Sequence, residues 1–248
     1  MAQTAATGTA SPDEVARFTA IAEEWWDPKG KFRPLHKFNP TRLTFIRDSL
    51  CAHFDRDNMA DQPLKGLKIL DIGCGGGLVS EPLARMGATM TSIDAGEQNV
   101  QVAAIHAEKS GLEINYRHTL PEDLVEEGEQ FDAVLNMEVV EHVPDLDAFL
   151  KACCSLVKPG GAMVGATVSR TIKSLAMAKI GAEYILRWLP PGTHDWNKFL
   201  KPSEFAAGLR PYGLEIKDLK GMTYSPFGDS WSLSDDLTVN YLLFAVKA

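Results

Sequence analysis

The stretch LKILDIGCGGG, Leu67–Gly77, constrains this 248-residue chain more than any other. Leu67, Ile69, Leu70 and Ile72 form an apolar run without strict alternation, the pattern of a parallel strand buried on both faces. Asp71 sits near its end, and Gly73, Gly75, Gly76 and Gly77 follow. Glycines at such a turn permit backbone conformations and close approaches that a Cβ would forbid. Leu78–Met86 reads as the next helix. A strand, a tight turn and a helix make a nucleotide-sized cradle at the carboxyl end of a sheet. The dinucleotide fingerprint wants glycine where Leu78 stands, which disfavours a nicotinamide-dependent oxidoreductase.

The next apolar segment, Thr89–Ile93, ends on Asp94. That acid lies about twenty residues beyond Gly73, where a strand-end carboxylate can accept both ribose hydroxyls of a nucleoside. Asp71–Gly77 and Asp94 together resemble the first two motifs of the class I S-adenosylmethionine-dependent methyltransferases. The resemblance implies S-adenosylmethionine as cofactor. It implies Gly73 and Gly75 in the cradle, and Asp71 helping to hold the amino-acid part of the ligand.

The alternation continues down the chain. Glu97–Ser110 reads as a helix, Ile114–His118 as a third strand and Phe131–Met137 as a fourth. Leu146–Leu156 is a helix, Lys158–Gly161 a turn and Ala162–Thr167 a fifth strand. Ser203–Arg210 (helix), Leu214–Tyr224 and Leu237–Lys247 (strands) close the chain, with 225–236 as a polar loop. The expected fold is a single α/β domain over 11–248, Rossmann-like. It has a seven-stranded, mostly parallel sheet with helices on both faces. An N-terminal helical cap covers 11–66, and an insertion, 169–202, follows the fifth strand.

Residues 1–10, rich in Ala, Thr and Gly, read as a disordered tail. Ser11-Pro12-Asp13-Glu14 is a helix start, so Val15–Trp26 is predicted helical, with Trp25 on its apolar face. Phe32–Arg42 carries two prolines and reads as a non-helical crossing, followed by a helix over Thr41–Phe54. The stretch EEWWDPKGKFRPLHKFNPTRL resembles the N-terminal signature of the ubiquinone-biosynthesis O-methyltransferases, which methylate phenolic hydroxyls on polyprenylated rings. The resemblance, extending from about Arg17 to Lys247, implies cofactor binding by Arg42. A guanidinium suits the methionine carboxylate as a bidentate partner. It also implies Asp123, after the third strand, near the adenine, and Met137 lining the adenosine site.

Met137–Val143, MEVVEHV, follows the fourth strand at the ligand-binding face. As a helical turn it would set Glu138, Glu141 and His142 at i, i+3 and i+4 on one face. Three readings stand. The trio holds a divalent cation, with two carboxylates favouring Mg2+; or His142 is a general base without metal; or the residues pack the pocket. A phenol, with a pKa near ~10, needs one of the first two.

A formal net charge of −8 argues against nucleic acid as partner. No segment is apolar for the ~20 residues a membrane span needs, and neither a secretory signal nor a transit peptide is expected. Cys51, Cys74, Cys153 and Cys154 lack metal-ligand spacing and fit a reducing compartment. Between Arg170 and Lys201, however, six basic residues face two acidic ones. Ile180, Tyr184 and Trp188 there run beside Lys179, Glu183 and Arg187, the pattern of a basic amphipathic helix on an anionic bilayer or of a lid helix packed on the domain with a solvated charged face. With a polyprenylated phenol or quinol as the implied substrate, the protein is expected to be cytoplasmic and peripheral on the inner membrane, in reach of other ubiquinone-biosynthesis enzymes. His194 is a second base candidate. Two other functions remain open: a methyltransferase for another small phenol or acid, and a non-catalytic cofactor-binding subunit.

Overall fold

The computed structural model of the chain describes residues 9–19, 22–175 and 196–248. Its frame is the apolar run at the glycine turn, strand β1 (Lys68–Ile72), buried at every position after Lys68. Strands β2 (Thr89–Asp94), β3 (Asn115–His118), β4 (Phe131–Met137) and β5 (Val157–Val168) join it in parallel. Strands β6 (Leu214–Ser225), β7 (Ser230–Ser234) and β8 (Asn240–Lys247) add an antiparallel side. The order is β3-β2-β1-β4-β5-β8-β6-β7. The sheet has eight strands, not the seven expected. The added one, β7, folds back on β6 from the segment read as a polar loop. Its SWSLS alternation is short and polar, and it pairs at a sheet edge where one side can face water.

Helices α1 (Pro12–Thr19), α2 (Arg33–His53), α3 (Ser80–Arg85), α4 (Glu97–Lys109), α5 (Pro121–Glu126), α6 (Leu146–Ser155), α7 (Ile172–Ser174) and α8 (Pro202–Leu209) complete the fold. Two cores flank the sheet. One packs Phe45, Ile46 and Leu50 of α2 and Leu83 of α3 on Ile69, Leu135 and Leu242. The other packs Phe149, Leu150 and Cys153 of α6 and Phe205 of α8 on Leu70, Val134 and Leu243. All four cysteines are buried free thiols, and Cys153 and Cys154 fill the α6 face as small apolar residues would.

Three local expectations are corrected. The crossing at 32–42 is helical: α2 starts at Arg33 and runs through Pro40. Pro34 lies in the first turn, where no N–H partner is lost. Pro40 costs about 3 kcal/mol inside a helix. Burial of Phe38, Phe45, Ile46 and Leu50, at about 1.5–3 kcal/mol each, outweighs it. The first helix is described over Pro12–Thr19, and Ala22–Glu24, expected to be α-helical, is a 3₁₀ turn. The Lys158–Gly161 turn is absorbed into β5 beside a register shift, where Lys158 pairs with Asp132 at 2.6 Å.

Thr9, within the expected tail, is buried and donates its N–H to Glu122 Oε1 at 2.9 Å. The tail's first residues, the amphipathic face around Ile180 and Trp188, and His194 lie outside the described residues. Among those described, no helix is long and apolar enough to cross a membrane.

Candidate active site

The parallel strands end on one edge of the sheet, and the loops there carry nearly every residue singled out above. After β1 the chain turns through Gly73 (φ 69°) and Gly75 (φ 52°), both in the left-handed region. A Cβ at Gly73 would stand 2.5 Å from Val139, and one at Gly75 would overlap the Trp25 ring. The turn is therefore glycine for two reasons, conformation and contact.

Asp71 lies buried beneath it. Its carboxylate accepts from Ser80 Oγ at 2.6 Å, and Ser92 Oγ supports Ser80 at 2.9 Å. Burial pushes the carboxyl up to about 6, against the pull of Ser80 and Arg42. Arg42 comes from α2, almost fully buried. Asn39 Oδ1 accepts from its Nε at 3.2 Å and its Nη2 at 2.8 Å, and Asn39 Nδ2 donates to Leu78 O at 2.7 Å. Burial lowers the guanidinium's pKa, while Glu138 and Asp71 sustain its charge. A buried cation and a buried anion so placed fit the carboxylate and ammonium of an amino acid.

Asp94 ends β2 beside this pair. Oδ2 accepts from Gly75 N at 2.9 Å; Oδ1 accepts from Gly96 N at 2.7 Å and Asn99 Nδ2 at 3.0 Å. Burial raises its carboxyl. The link from Gly75 to Asp94 ties the two cofactor motifs into one unit. Met137 is buried at the end of β4, opposite Ala166. Asp123 is exposed and caps its own helix, accepting from Leu120 N at 3.0 Å and Thr119 Oγ1 at 2.7 Å. Its neighbour Glu122 is the acid that turns inward, toward Thr9.

The loop after β4 is not a helix. Glu138 has φ 58°, a strained conformation for a side chain with a Cβ, and its N–H goes to Ala166 O at 2.9 Å. That twist breaks the i, i+3, i+4 face. Glu138 and Glu141 are buried together; Glu141 accepts from Thr167 Oγ1 at 2.9 Å. Burial raises both carboxyls. Glu141 rises well above the ordinary range because Glu138 adds like charge, whereas Arg42 holds Glu138 down. His142 turns elsewhere: its Nδ1 lies 3.2 Å from Glu14 Oε2 of α1. The expected metal trio is not assembled, and among the described residues no three His, Cys, Asp or Glu side chains are set to hold an ion.

The N-terminal segment crosses the mouth of the cradle. Trp25 lies over Gly75 and Gly76, stacks on Phe32 with ring centroids 3.7 Å apart, and donates Nε1–H to Asn99 Oδ1 at 3.0 Å. Trp26 stacks on His106 and donates to Gly76 O at 2.9 Å. Glu14, Asn99 and Glu122 are contributors the sequence reading missed. The Trp-Trp pair was its one available signal for the strap.

Residues 70–165 match the family described as a methyltransferase domain. A ubiquinone biosynthesis O-methyltransferase of Paramagnetospirillum magneticum is 58% identical over 97% of this chain and 96% of its own length. One of Parvibaculum lavamentivorans is 56% identical over 100% and 98%. The chain belongs to this family. It is an S-adenosylmethionine-dependent O-methyltransferase of the ubiquinone biosynthesis type. Magnesium protoporphyrin IX methyltransferase of Synechocystis, solved with bound S-adenosylhomocysteine, is like this O-methyltransferase in fold. The TM-score is 0.63 at 21% identity, covering 95% of this chain and 94% of that one.

Proposed function

We propose that this O-methyltransferase acts on phenolic hydroxyls of polyprenylated rings, both 2-polyprenyl-6-hydroxyphenol and 3-demethylubiquinol, with His142 as the general base. One observation supports the base above all: the imidazole stands in the loop after β4, at the edge that carries the cofactor cradle, and its Nδ1 faces a carboxylate.

S-adenosylmethionine, when bound, supplies an electrophilic methyl group on a sulfonium. Arg42 pairs with its carboxylate and Asp71 with its ammonium. Asp94 accepts the ribose hydroxyls, and Met137 lines the adenosine through its backbone. Gly73 and Gly75 let the ligand approach the main chain. His142 takes the phenol's proton as the oxygen attacks in line with the departing sulfur. The buried Glu138–Glu141 pair, with Arg42, keeps the intervening space polar and fixed. Glu138, Glu141 and His142 are the side chains that would hold Mg2+; here Glu141 accepts from Thr167 and His142 faces Glu14.

Contact with an anionic bilayer belongs to the same reading. Ile172 is 84% exposed and Phe227 is fully exposed, both at the strand-end edge where a tailed substrate would enter. Arg170, Lys173, Lys198 and Lys201 lie on the flanks of the insertion.

A short-chain demethylubiquinol assayed with S-adenosylmethionine, before and after chelation and desalting, tests the proposal. A product heavier by one methyl, formed at an unchanged rate after chelation, is expected. Loss of activity restored by Mg2+ would replace the base with a metal; absence of any methylated product would remove the substrate class.

A further inference from the structure

We infer that Trp26 is a positioning residue for the cofactor turn, itself held by a ring stack on His106 that Glu81 anchors. The inference rests on the reading of Gly73–Gly77 as the turn that takes S-adenosylmethionine.

A turn of this composition needs holding from outside. Gly73, Gly75 and Gly77 take φ of 69°, 52° and 86°, and glycine gives up more conformational freedom on ordering than any other residue. The N–H groups are held from the sheet. Gly73 N and Cys74 N donate to Ile93 O at 2.8 and 3.0 Å, and Gly75 N donates to Asp94 Oδ2 at 2.9 Å. The carbonyls are held from elsewhere. Trp26 Nε1 donates to Gly76 O at 2.9 Å, and Glu81 N donates to Gly77 O at 3.0 Å. In a planar trans peptide the N–H opposes the C=O. Fixing Gly76 O therefore also aims Gly77 N, which donates to Cys74 O at 2.9 Å and closes the turn.

These two donors are joined behind the turn. The Trp26 indole lies flat on the His106 imidazole, with centroids 3.5 Å apart and planes 4° apart. Glu81 Oε1 accepts from His106 Nδ1 at 2.6 Å, and Glu81 Oε2 accepts from Arg85 Nη2 at 3.2 Å. Glu81 is only 1% exposed, so these contacts stand in for its water. The path from Gly76 through Trp26, His106 and Glu81 to Gly77 thus closes on itself. Glu81 of α3 sets the imidazole of α4, the imidazole sets the plane of the indole, and the indole N–H sets the Gly76 carbonyl. Trp25 covers the same turn by bulk; Trp26 adds direction.

The test uses the full chain with Trp26→Phe, His106→Gln, the double variant and Asp94→Asn. Trp26→Phe keeps a ring on His106 and removes the N–H. Kd for S-adenosylhomocysteine is read by calorimetry, and kcat with both KM values on short-chain demethylubiquinol, beside melting temperature. Trp26→Phe should weaken Kd and raise KM for S-adenosylmethionine about 3- to 10-fold, the range of one hydrogen bond, with kcat and the KM of the phenol held. His106→Gln should weaken Kd in the same direction. The double variant should bind no more weakly than Trp26→Phe, because His106 reaches the turn through the indole N–H. A wild-type Kd in Trp26→Phe, whatever its melting temperature, would reduce the indole to packing and overturn the inference. So would losses that multiply in the double variant, or a fall in kcat with the cofactor KM held. Should Trp26→Phe not fold, His106→Gln decides: weaker binding supports the inference and a wild-type Kd overturns it. A wild-type Kd in Asp94→Asn would instead sink the reading of the cradle, a separate failure.

Discussion

Asp71 makes cofactor affinity depend on pH in a way that can be worked out in advance. Its carboxyl is pushed up to about 6 by burial, from an ordinary 3.8. The sign for the empty protein follows. A raised acid costs stability when ionised, so stability is lost above about pH 6 and regained as pH falls toward 4. Binding reverses the balance. An ammonium beside Asp71 favours the ionised form and returns the carboxyl to its ordinary range or below. Binding below pH 6 must then release a proton. With a free value of about 6 and a bound value near 3.8, Kd is flat above pH 7, about fourfold weaker at pH 5.5 and about tenfold weaker at pH 5. Calorimetry with S-adenosylhomocysteine from pH 5 to 7.5 reads this directly. Two buffers of different ionisation enthalpy count the protons released. Asp71→Asn should bind more weakly throughout and lose most of the slope; Asp94, also raised by burial, accounts for any remainder. A flat wild-type profile, or an unchanged slope in Asp71→Asn, would refute the assignment of Asp71 to the ammonium.

Other outcomes follow from the same geometry. Arg42→Lys cannot keep the two bonds to Asn39 and should raise the Kd for S-adenosylhomocysteine about tenfold or more, with little change in substrate KM. Gly76→Ala drives a methyl into Trp25 and should cost about 1–3 kcal/mol. That corresponds to a fall of several degrees in melting temperature. Ile172→Glu, at a nearly solvated position, should leave the melting temperature unchanged and reduce sedimentation with anionic vesicles; equal sedimentation would remove Ile172 from the membrane-facing surface.

Much of the frame was legible because parallel strands bury both faces and leave unbroken apolar runs. FDAVLNM was read as Phe131–Met137 and is β4 over those residues. The clustering of Gly73, Gly75, Asp71 and Asp94 was equally open, since they lie within one β-α-β unit and local geometry brings them together. What escaped was non-local. Pro40 signals a break, but the buried face of α2 overrides it. The loop after β4 looked helical by spacing, but Glu138 is left-handed there, a conformation its neighbours in the chain do not signal.

Glu14 illustrates the same limit where it matters most. In sequence it is a first-turn acid, fully explained by the helix dipole and the Arg17 pair. Nothing near it in the chain points to His142, because the contact exists only once the strap has crossed four strand-end loops. The cradle is encoded within about thirty residues and would hold the cofactor in many related folds. The contact between Glu14 and His142 joins two distant segments, so it forms only when the crossing is docked. Trp25 lies on the glycines and bonds Asn99, which in turn bonds Asp94. The segment that carries Glu14 to His142 is therefore the segment that lies over the glycine turn, and one docking event makes both contacts.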